Sequence, residues 1–490
     1  MSACRLFQLD LFTPVTAMTD SATDLSQRLQ LLRAAQRAEP MPDWPARAAR
    51  LRTLEKMLLE QREAFAVAIN ADFGCRPREE TDLLEIFPSL SAVRHALGHG
   101  RRWMKPRRRL AGLAFLPART ELRPQPLGVI GIIVPWNYPL YLAVGPLVDA
   151  LVAGNRAMLK MSEFTPRFST LFAEQVARYF QPDEVVVVTG DAAVAQAFSA
   201  LPFDHLLFTG STTVGHHVMR AASANLTPVT LELGGKSPAI IGPGARFDHA
   251  VERILFGKLI NAGQTCIAPD YVLLPRSRMG DFVAAARATA DRLYPRLGEN
   301  AQYASIVSDR QYQRIAALRD SAIAAGARAE TLGGGAAGAG DAQPRRLLPV
   351  LLTGVDDTMT VMQEEIFGPL LPLVPYDSLD EAIAYVAAHP HPLALYLFEQ
   401  DRALIDKVLA RTMAGGVSVN DTLYHIAQHD LPFGGVGASG TGGYHGEAGF
   451  RTFSHLKPVF RQARFNGAGL LNPPYGVRFR RMLDLLMKRG

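Results

Sequence analysis

Apolar positions in the N-terminal part of the chain recur at helical spacing. Leu51, Leu54, Leu58 and Ala66 share one stripe, with charged residues between them, which is the periodicity of an amphipathic helix. Helix-rich sequence is predicted over 22–71, with a capped entry at Asp43-Trp44-Pro45. A second helical stretch is predicted from about 78 to 103. From residue 128 the pattern changes to short apolar runs separated by helical segments. Runs at 129–134, 156–160, 184–188, 204–208 and 229–232 read as buried strands. Their alternation with helices predicts an α/β protein built on a doubly wound parallel sheet. A second α/β stretch follows, from about 238 to 425.

The twenty positions 129–148 carry no charge, which is the length of a membrane span. Pro135, Pro139 and Pro146 would break a lipid-exposed helix. The run therefore reads as a buried strand, a loop, and a buried helix over 140–153. A Gly/Ala-rich tract within 331–343 lacks the Gly-Lys-Ser/Thr ending of a phosphate loop and reads as a flexible surface connection. Residues 477–490 interleave Val477, Phe479, Met482, Leu483, Leu485 and Leu486 with Arg478, Arg480, Arg481, Lys488 and Arg489. That pattern predicts a basic amphipathic helix, docked on protein or lying on an anionic membrane surface.

The 490-residue length allows two to four domains or two large ones, and the 48% apolar and 20% charged fractions are those of a globular protein. The net charge of +6 is unevenly placed. One basic cluster lies at 101–109, and nine Lys or Arg follow from Arg451 onward against the single acid Asp484. This is a solvated basic face or one that meets an anionic partner. There is no zinc finger, RNA-binding aromatic motif or basic zipper, so nucleic acid is not expected. Only Cys4, Cys75 and Cys266 are present, which argues against a disulfide framework and for a reducing, cytoplasmic setting. Residues 1–17 make a poor signal peptide.

The chemistry concentrates at two positions. Cys266 follows Gly263-Gln264-Thr265, and Glu232 stands 34 residues upstream in Leu231-Glu232-Leu233-Gly234-Gly235-Lys236. A thiolate nucleophile with a carboxylate base suits chemistry that makes a thioester and hydrolyses it. The Gly-rich segment 209–215 joins a strand to a helix and could hold a pyrophosphate at the helix N-terminus. It lacks the G-x-G-x-x-G form and could equally be an ordinary turn. His425 and His429 are four apart, but no His-Glu-x-x-His is present and no metal is expected.

These segments together resemble the aldehyde dehydrogenase superfamily over roughly 25–475. The likeness rests on Pro135-Trp136-Asn137, Lys160-Met161-Ser162-Glu163, Phe208-Thr209-Gly210-Ser211 with Gly215, and Glu232 through Pro238. It continues through Gly263-Gln264-Thr265-Cys266, Glu364-Glu365-Ile366-Phe367-Gly368-Pro369 and 432–440. Cys266-Ile267-Ala268-Pro269-Asp270-Tyr271 and the 445–455 segment are similar to the class 3 branch, and 420–428 to the bacterial coniferyl aldehyde dehydrogenases.

The resemblance implies a Rossmann-type cofactor domain, an α/β catalytic domain and a bridging β arm for oligomerisation. The expected divisions are a disordered tail over 1–20, a cofactor domain over 21–118 and 128–233, and a catalytic domain over 234–430. The arm takes 119–127 and 431–476, and the basic helix 477–490. A homo-oligomer, at least a dimer, is implied. The resemblance assigns Cys266 as nucleophile, Asn137 as oxyanion donor and Glu232 as the base for deacylation. Lys160 and Glu163 would hold the adenosine ribose, favouring NAD while leaving NADP open. Glu365 and Phe367 would position the nicotinamide side, and Trp136, Gly210, Ser211 and Gly215 would complete the cofactor contacts. Tyr138, Tyr424 and His425 are candidates for the substrate tunnel. The implied reaction takes an aromatic aldehyde such as coniferaldehyde, or a medium to long aliphatic one, to its acid. A fatty-aldehyde enzyme and a non-catalytic family member are the alternatives.

Overall fold

Asp43 caps the helix Trp44–Glu60 by accepting the Ala46 N–H at 3.0 Å, as the sequence predicts. Leu51, Leu54 and Leu58 on that helix and Ala66 on the next, Arg62–Phe73, are all buried. The segment predicted helical from 78 onward winds through a wider π turn at Asp82–Ile86 into the helix Phe87–Trp103. The computed structural model describes residues 22–112, 115–333 and 345–489. The expected N-terminal tail and most of the Gly/Ala tract lie outside these residues.

The apolar run from 129 resolves into the strand Val129–Ile133, a loop, and the helix Tyr141–Ala153, every residue of which is buried. A helix apolar all round requires such surroundings. Among the described residues, no helix is long and apolar enough to cross a membrane.

Three sheets are present among the described residues. A six-stranded sheet runs in the spatial order Gly440–Thr441, Val229–Glu232, His205–Thr209, Val129–Ile133, Arg156–Lys160, Val185–Val188. All its pairings are parallel except that of Gly440–Thr441 with Val229–Glu232. The chain thus winds outward from Val129–Ile133 on one side, then returns to build the other. Ligands of such sheets bind beyond the carboxyl ends of the strands, where this order reverses.

A seven-stranded sheet follows, in the order Arg328–Thr331, Val350–Thr353, Leu370–Tyr376, Tyr271–Pro275, Pro238–Ile241, Ala394–Phe398, Gly416–Val419. Only its first pair is antiparallel. The third sheet has Arg119–Pro126 between Arg107–Arg109 and Ser454–Arg461, in register from Ser454↔Pro126 to Arg461↔Arg119. The segment 431–476 is therefore shared, because Gly440–Thr441 closes the six-stranded sheet while Ser454–Arg461 joins the small one. The basic C-terminal segment forms the helix Val477–Arg489.

Candidate active site

The loop after Val129–Ile133 carries Trp136 and Asn137. Trp136 meets Phe367 edge-on, with ring centroids 5.3 Å apart, while Asn137 is almost wholly buried. The strand His205–Thr209 ends in Gly210, whose N–H donates to the Glu232 carbonyl at 3.0 Å. Ser211 then caps the helix Thr212–Ser223 by accepting the Val214 N–H. Gly215 sits in its first turn, where a Cβ would fall 2.7 Å from Leu233 Cδ2. A side chain there would have to displace the Leu233 side chain that packs against the helix.

Glu232 ends its strand with both carboxyl oxygens buried and without a hydrogen-bond partner. Burial alone pushes its pKa well above the carboxylate range. An orphaned buried carboxyl is costly and calls for a functional explanation.

Cys266 follows a tight turn in which Asn261 and Ala262 both have φ of 51°, the left-handed region. Gln264 locks this turn: its side-chain amide donates to the carbonyls of Asn261 at 2.9 Å and Ser305 at 3.0 Å, and its oxygen accepts the Val307 N–H at 2.9 Å. Burial, with the carboxyls of Glu365 and Glu232 nearby, pushes the Cys266 thiol up to about 12. The resting sulfur is therefore a thiol.

The segment 364–367 is clamped through its backbone. Lys236 Nζ donates to the carbonyls of Val361 at 2.8 Å and Glu364 at 3.0 Å. Arg314 donates to those of Glu365 at 3.2 Å and Ile366 at 2.6 Å, and Asp270 accepts the Ile366 N–H at 3.1 Å. Burial, then the charge on Asp270, raises the Glu365 pKa to about 8.

One cavity of about 670 Å³ is lined by Trp136, Asn137, Gly210, Ser211, Glu232, Cys266, Glu365 and Phe367. Lys160, Glu163 and Gly215 do not line it. Lys160 is buried at the end of its strand, its Nζ donating to the Met161 and Gly190 carbonyls at 2.7 and 2.9 Å. Glu163, more exposed, stands 3.9 Å from that Nζ.

The three tunnel candidates are also not on the cavity wall. Tyr138 is buried with its hydroxyl 2.5 Å from Thr265 Oγ1, Tyr424 is exposed, and His425 is packed behind Phe433. Burial drew Tyr138 inward and turned its hydroxyl to the one partner within reach. Leu142, Leu393, Phe433 and Tyr444 form the apolar wall instead. Phe433 could have been flagged from its place in 432–440, whereas Arg314 lies in a charged helix, Asp309–Ala324, with no local signal.

The residues suit a dinucleotide. The Gly210–Ser211 turn opens a helix N-terminus toward the cavity, a lysine and a carboxylate stand two strands away, and Glu365 Oε1 is buried without a partner.

A profile of the aldehyde dehydrogenase family matches residues 10–459. The chain is 51% identical to a "Probable coniferyl aldehyde dehydrogenase" of Pseudomonas aeruginosa, over 93% of this chain and 95% of the relative. It is 46% identical to the "Coniferyl aldehyde dehydrogenase" of a Pseudomonas species, over 95% and 97%. Among solved structures, a substrate-bound AldH of Staphylococcus aureus superposes with a TM-score of 0.88 at 36% identity, covering 94% of this chain and 99% of that one. A Mycobacterium tuberculosis aldehyde dehydrogenase complexed with NAD+ gives 0.81 at 31% identity, covering 91% of each. The orphaned carboxyl, the thiol on the same cavity and the Gly210–Ser211 turn thus sit in a chain that belongs to the aldehyde dehydrogenase family, the oxidoreductases acting on the aldehyde group.

Proposed function

We propose that this enzyme oxidises an aromatic aldehyde of the coniferaldehyde type to its carboxylic acid, using NAD in preference to NADP. The observation that carries the hydrolytic chemistry is the orphaned, buried Glu232 carboxyl on the same cavity as Cys266. The likeness to proteins named coniferyl aldehyde dehydrogenase supports the substrate class. The aromatic wall of Phe433 and Tyr444 suits a flat ring. The NAD+ complex of a structural relative and the Glu163 carboxylate beside Lys160 support the cofactor, because a carboxylate accepts from ribose hydroxyls and repels a 2′-phosphate.

In this reading the Cys266 thiol gives its proton to solvent water, and the sulfur bonds to the aldehyde carbon. The carbonyl oxygen becomes an oxyanion, held by the Asn137 amide and the Cys266 backbone N–H. Each such donor contributes roughly 100- to 1000-fold in rate. A bound nicotinamide supplies the hydride acceptor. Glu365 and Phe367 would position its ribose and ring, and Lys160 and Glu163 would hold the adenosine end. The enzyme is left as a Cys266 thioester. Glu232, in its ionised form, then takes a proton from water as the water oxygen attacks the thioester carbon. The carbon–sulfur bond breaks, the acid leaves, and Glu232 returns the proton to the sulfur, which restores both the thiol and the carboxylate.

We assign the cofactor domain to 21–118 and 128–233, the catalytic domain to 234–430, and the oligomerisation arm to 119–127 and 431–476. The strand Ser454–Arg461 is an edge of the small sheet, a template on which a second subunit can add its own strand. A cytoplasmic homodimer is the expected form. The basic helix Val477–Arg489, with Val477, Leu485 and Met487 exposed, suits an anionic membrane surface. Deleting 477–490 should then abolish binding to anionic vesicles; unchanged partitioning would end that idea.

The reading as a whole is tested by NADH formation from coniferaldehyde, cinnamaldehyde, benzaldehyde, hexanal and decanal, each with NAD and with NADP. A preference for coniferaldehyde with NAD supports it. A preference for decanal moves the enzyme to the fatty-aldehyde side, and no NADH from any aldehyde overturns it.

A further inference from the structure

Beneath the loop that carries Asn137 lies a buried charged cluster with no place in the chemistry above. Arg76 and Glu85 are both fully buried, and Arg76 Nη1 stands 2.9 Å from Glu85 Oε1. The same nitrogen donates to the backbone carbonyl of Asn137 at 2.9 Å. Glu85 Oε2 accepts the backbone N–H groups of Leu140 at 2.7 Å and Tyr141 at 3.1 Å. The guanidinium is sandwiched between the rings of Phe73 and Tyr138, 5.0 Å from each centroid. A second contact reaches the same carbonyl from the thiol's side, with Asn261 Nδ2 donating to Asn137 O at 3.3 Å. Asn261 in turn donates its own N–H to Glu80 Oε2 at 3.1 Å.

A buried ion pair is a poor source of stability, because desolvation offsets most of the attraction. Spent on the backbone of a loop, it supplies geometry instead. Arg76 Nη1 meets the Asn137 carbonyl and the Glu85 carboxyl together, while Nε and Nη2 have no hydrogen-bond partner among the described residues, so one nitrogen joins the loop carbonyl to the carboxyl that holds the two N–H groups beyond it. The loop between residues 137 and 141 is thus held at its carbonyl by Arg76 and at two N–H groups by Glu85. Asn137, the residue so held, lines the cavity.

We infer that Arg76, paired with Glu85, is a positioning residue that fixes the oxyanion-binding amide of Asn137 relative to Cys266. The inference rests on the proposed role of Asn137. Arg76 touches neither substrate nor cofactor, and it acts through the backbone of the loop. Its loss would slow formation of the thioester while leaving cofactor affinity intact.

The test compares the pre-steady-state rate of NADH formation and the NAD affinity in four proteins: wild type, Asn137→Ala, Arg76→Met/Glu85→Gln, and the triple variant. The double variant removes both charges of the pair, and its melting temperature is measured first to establish that it folds; Arg76→Lys, which keeps the charge but loses the guanidinium between the two rings, serves as a second probe. The double variant should lose roughly tenfold to a hundredfold in that rate, the scale of a displaced catalytic group. Its NAD affinity should change less than about threefold, and Arg76→Lys should recover only part of the rate. In the triple variant, removal of Arg76 and Glu85 should cost nothing beyond the loss due to Asn137→Ala, since groups acting through one another are not additive.

An undiminished rate in the double variant overturns the inference. So does the same fold-loss with and without Asn137, or a parallel fall in NAD affinity, since each marks a merely structural role. Full activity in Asn137→Ala would instead overturn the assignment of Asn137 on which the inference rests.

Discussion

Glu232→Gln isolates the step that the buried carboxyl is proposed to perform. The amide is the same size as the carboxyl, so the cavity keeps its shape. No hydrogen bond to Glu232 is lost, because both oxygens lack a partner. What disappears is the ability to take a proton from water. General-base catalysis typically contributes about 100- to 10,000-fold, or roughly 3–5 kcal/mol at 1.36 kcal/mol per decade. The loss should fall on thioester hydrolysis alone. Stopped-flow mixing of enzyme, NAD and aldehyde should show a burst of about one NADH per active subunit at near-wild-type rate, followed by a steady state slowed by that factor. In the wild type, the steady-state rate should rise with pH to well above the ordinary carboxylate range, because only ionised Glu232 can act as a base and burial raises its pKa. That limb should vanish in Glu232→Gln. Equal losses in burst and steady state, or a wild-type steady-state rate already flat from mildly acidic pH upward, would refute the assignment.

Three further outcomes follow from the same contacts. A Cβ at Gly234 would lie 1.9 Å from Glu365 Oε2, so Gly234→Ala should push that flexible side chain aside and raise the KM for NAD about tenfold or more. Its melting temperature should barely move. Glu163→Gln should raise the ratio of NADP to NAD turnover, read from kcat/KM with each cofactor, since it removes the repulsion facing a 2′-phosphate. Asp149 is buried, and desolvation raises its pKa from 3.8 to about 8. Between those values the unfolded chain has released the proton that the native state retains, so stability falls as pH rises through that window. Asp149→Asn should thus stabilise the protein by up to about 4 kcal/mol at neutral pH and by nothing below the unfolded pKa, as read from urea denaturation at several pH values.

Much of this fold follows from patterns visible in the chain. The runs at 129–134, 156–160 and 229–232 became strands within a residue of their expected ends because each has an apolar centre that a covered parallel sheet buries, with polar residues only at or near the ends of the last two. Arg107–Arg109 is different. Three arginines carry no strand signal, and only pairing with Thr120, Glu121 and Leu122 makes them one. At the site, Cys266 and Glu232 announced themselves through their flanking turns. Partners that hold those turns did not, because the contact is between distant positions: Arg314 reaches Ile366 across 52 residues and Arg76 reaches Asn137 across 61. Tyr138 shows the opposite failure. Its place beside Asn137 suggested the substrate tunnel, but the hydroxyl found Thr265 and the ring went under Arg76.

The single hydrogen bond from the Gly210 N–H to the Glu232 carbonyl limits how this scaffold can be re-engineered. It ties the start of the Gly210–Ser211 turn to the residue that carries the buried carboxyl. With that turn holding the coenzyme and Glu232 acting in deacylation, as proposed, remodelling 209–211 to accept another coenzyme would shift the carboxyl along with it. Lys160 and Glu163 lie two strands away, on the far side of Val129–Ile133. On the proposed assignment of Lys160 and Glu163, coenzyme preference can therefore be varied there as a separate module, which makes the carboxyl end of the strand Arg156–Lys160 the place where a lineage, or a designer, can change redox currency without retuning hydrolysis.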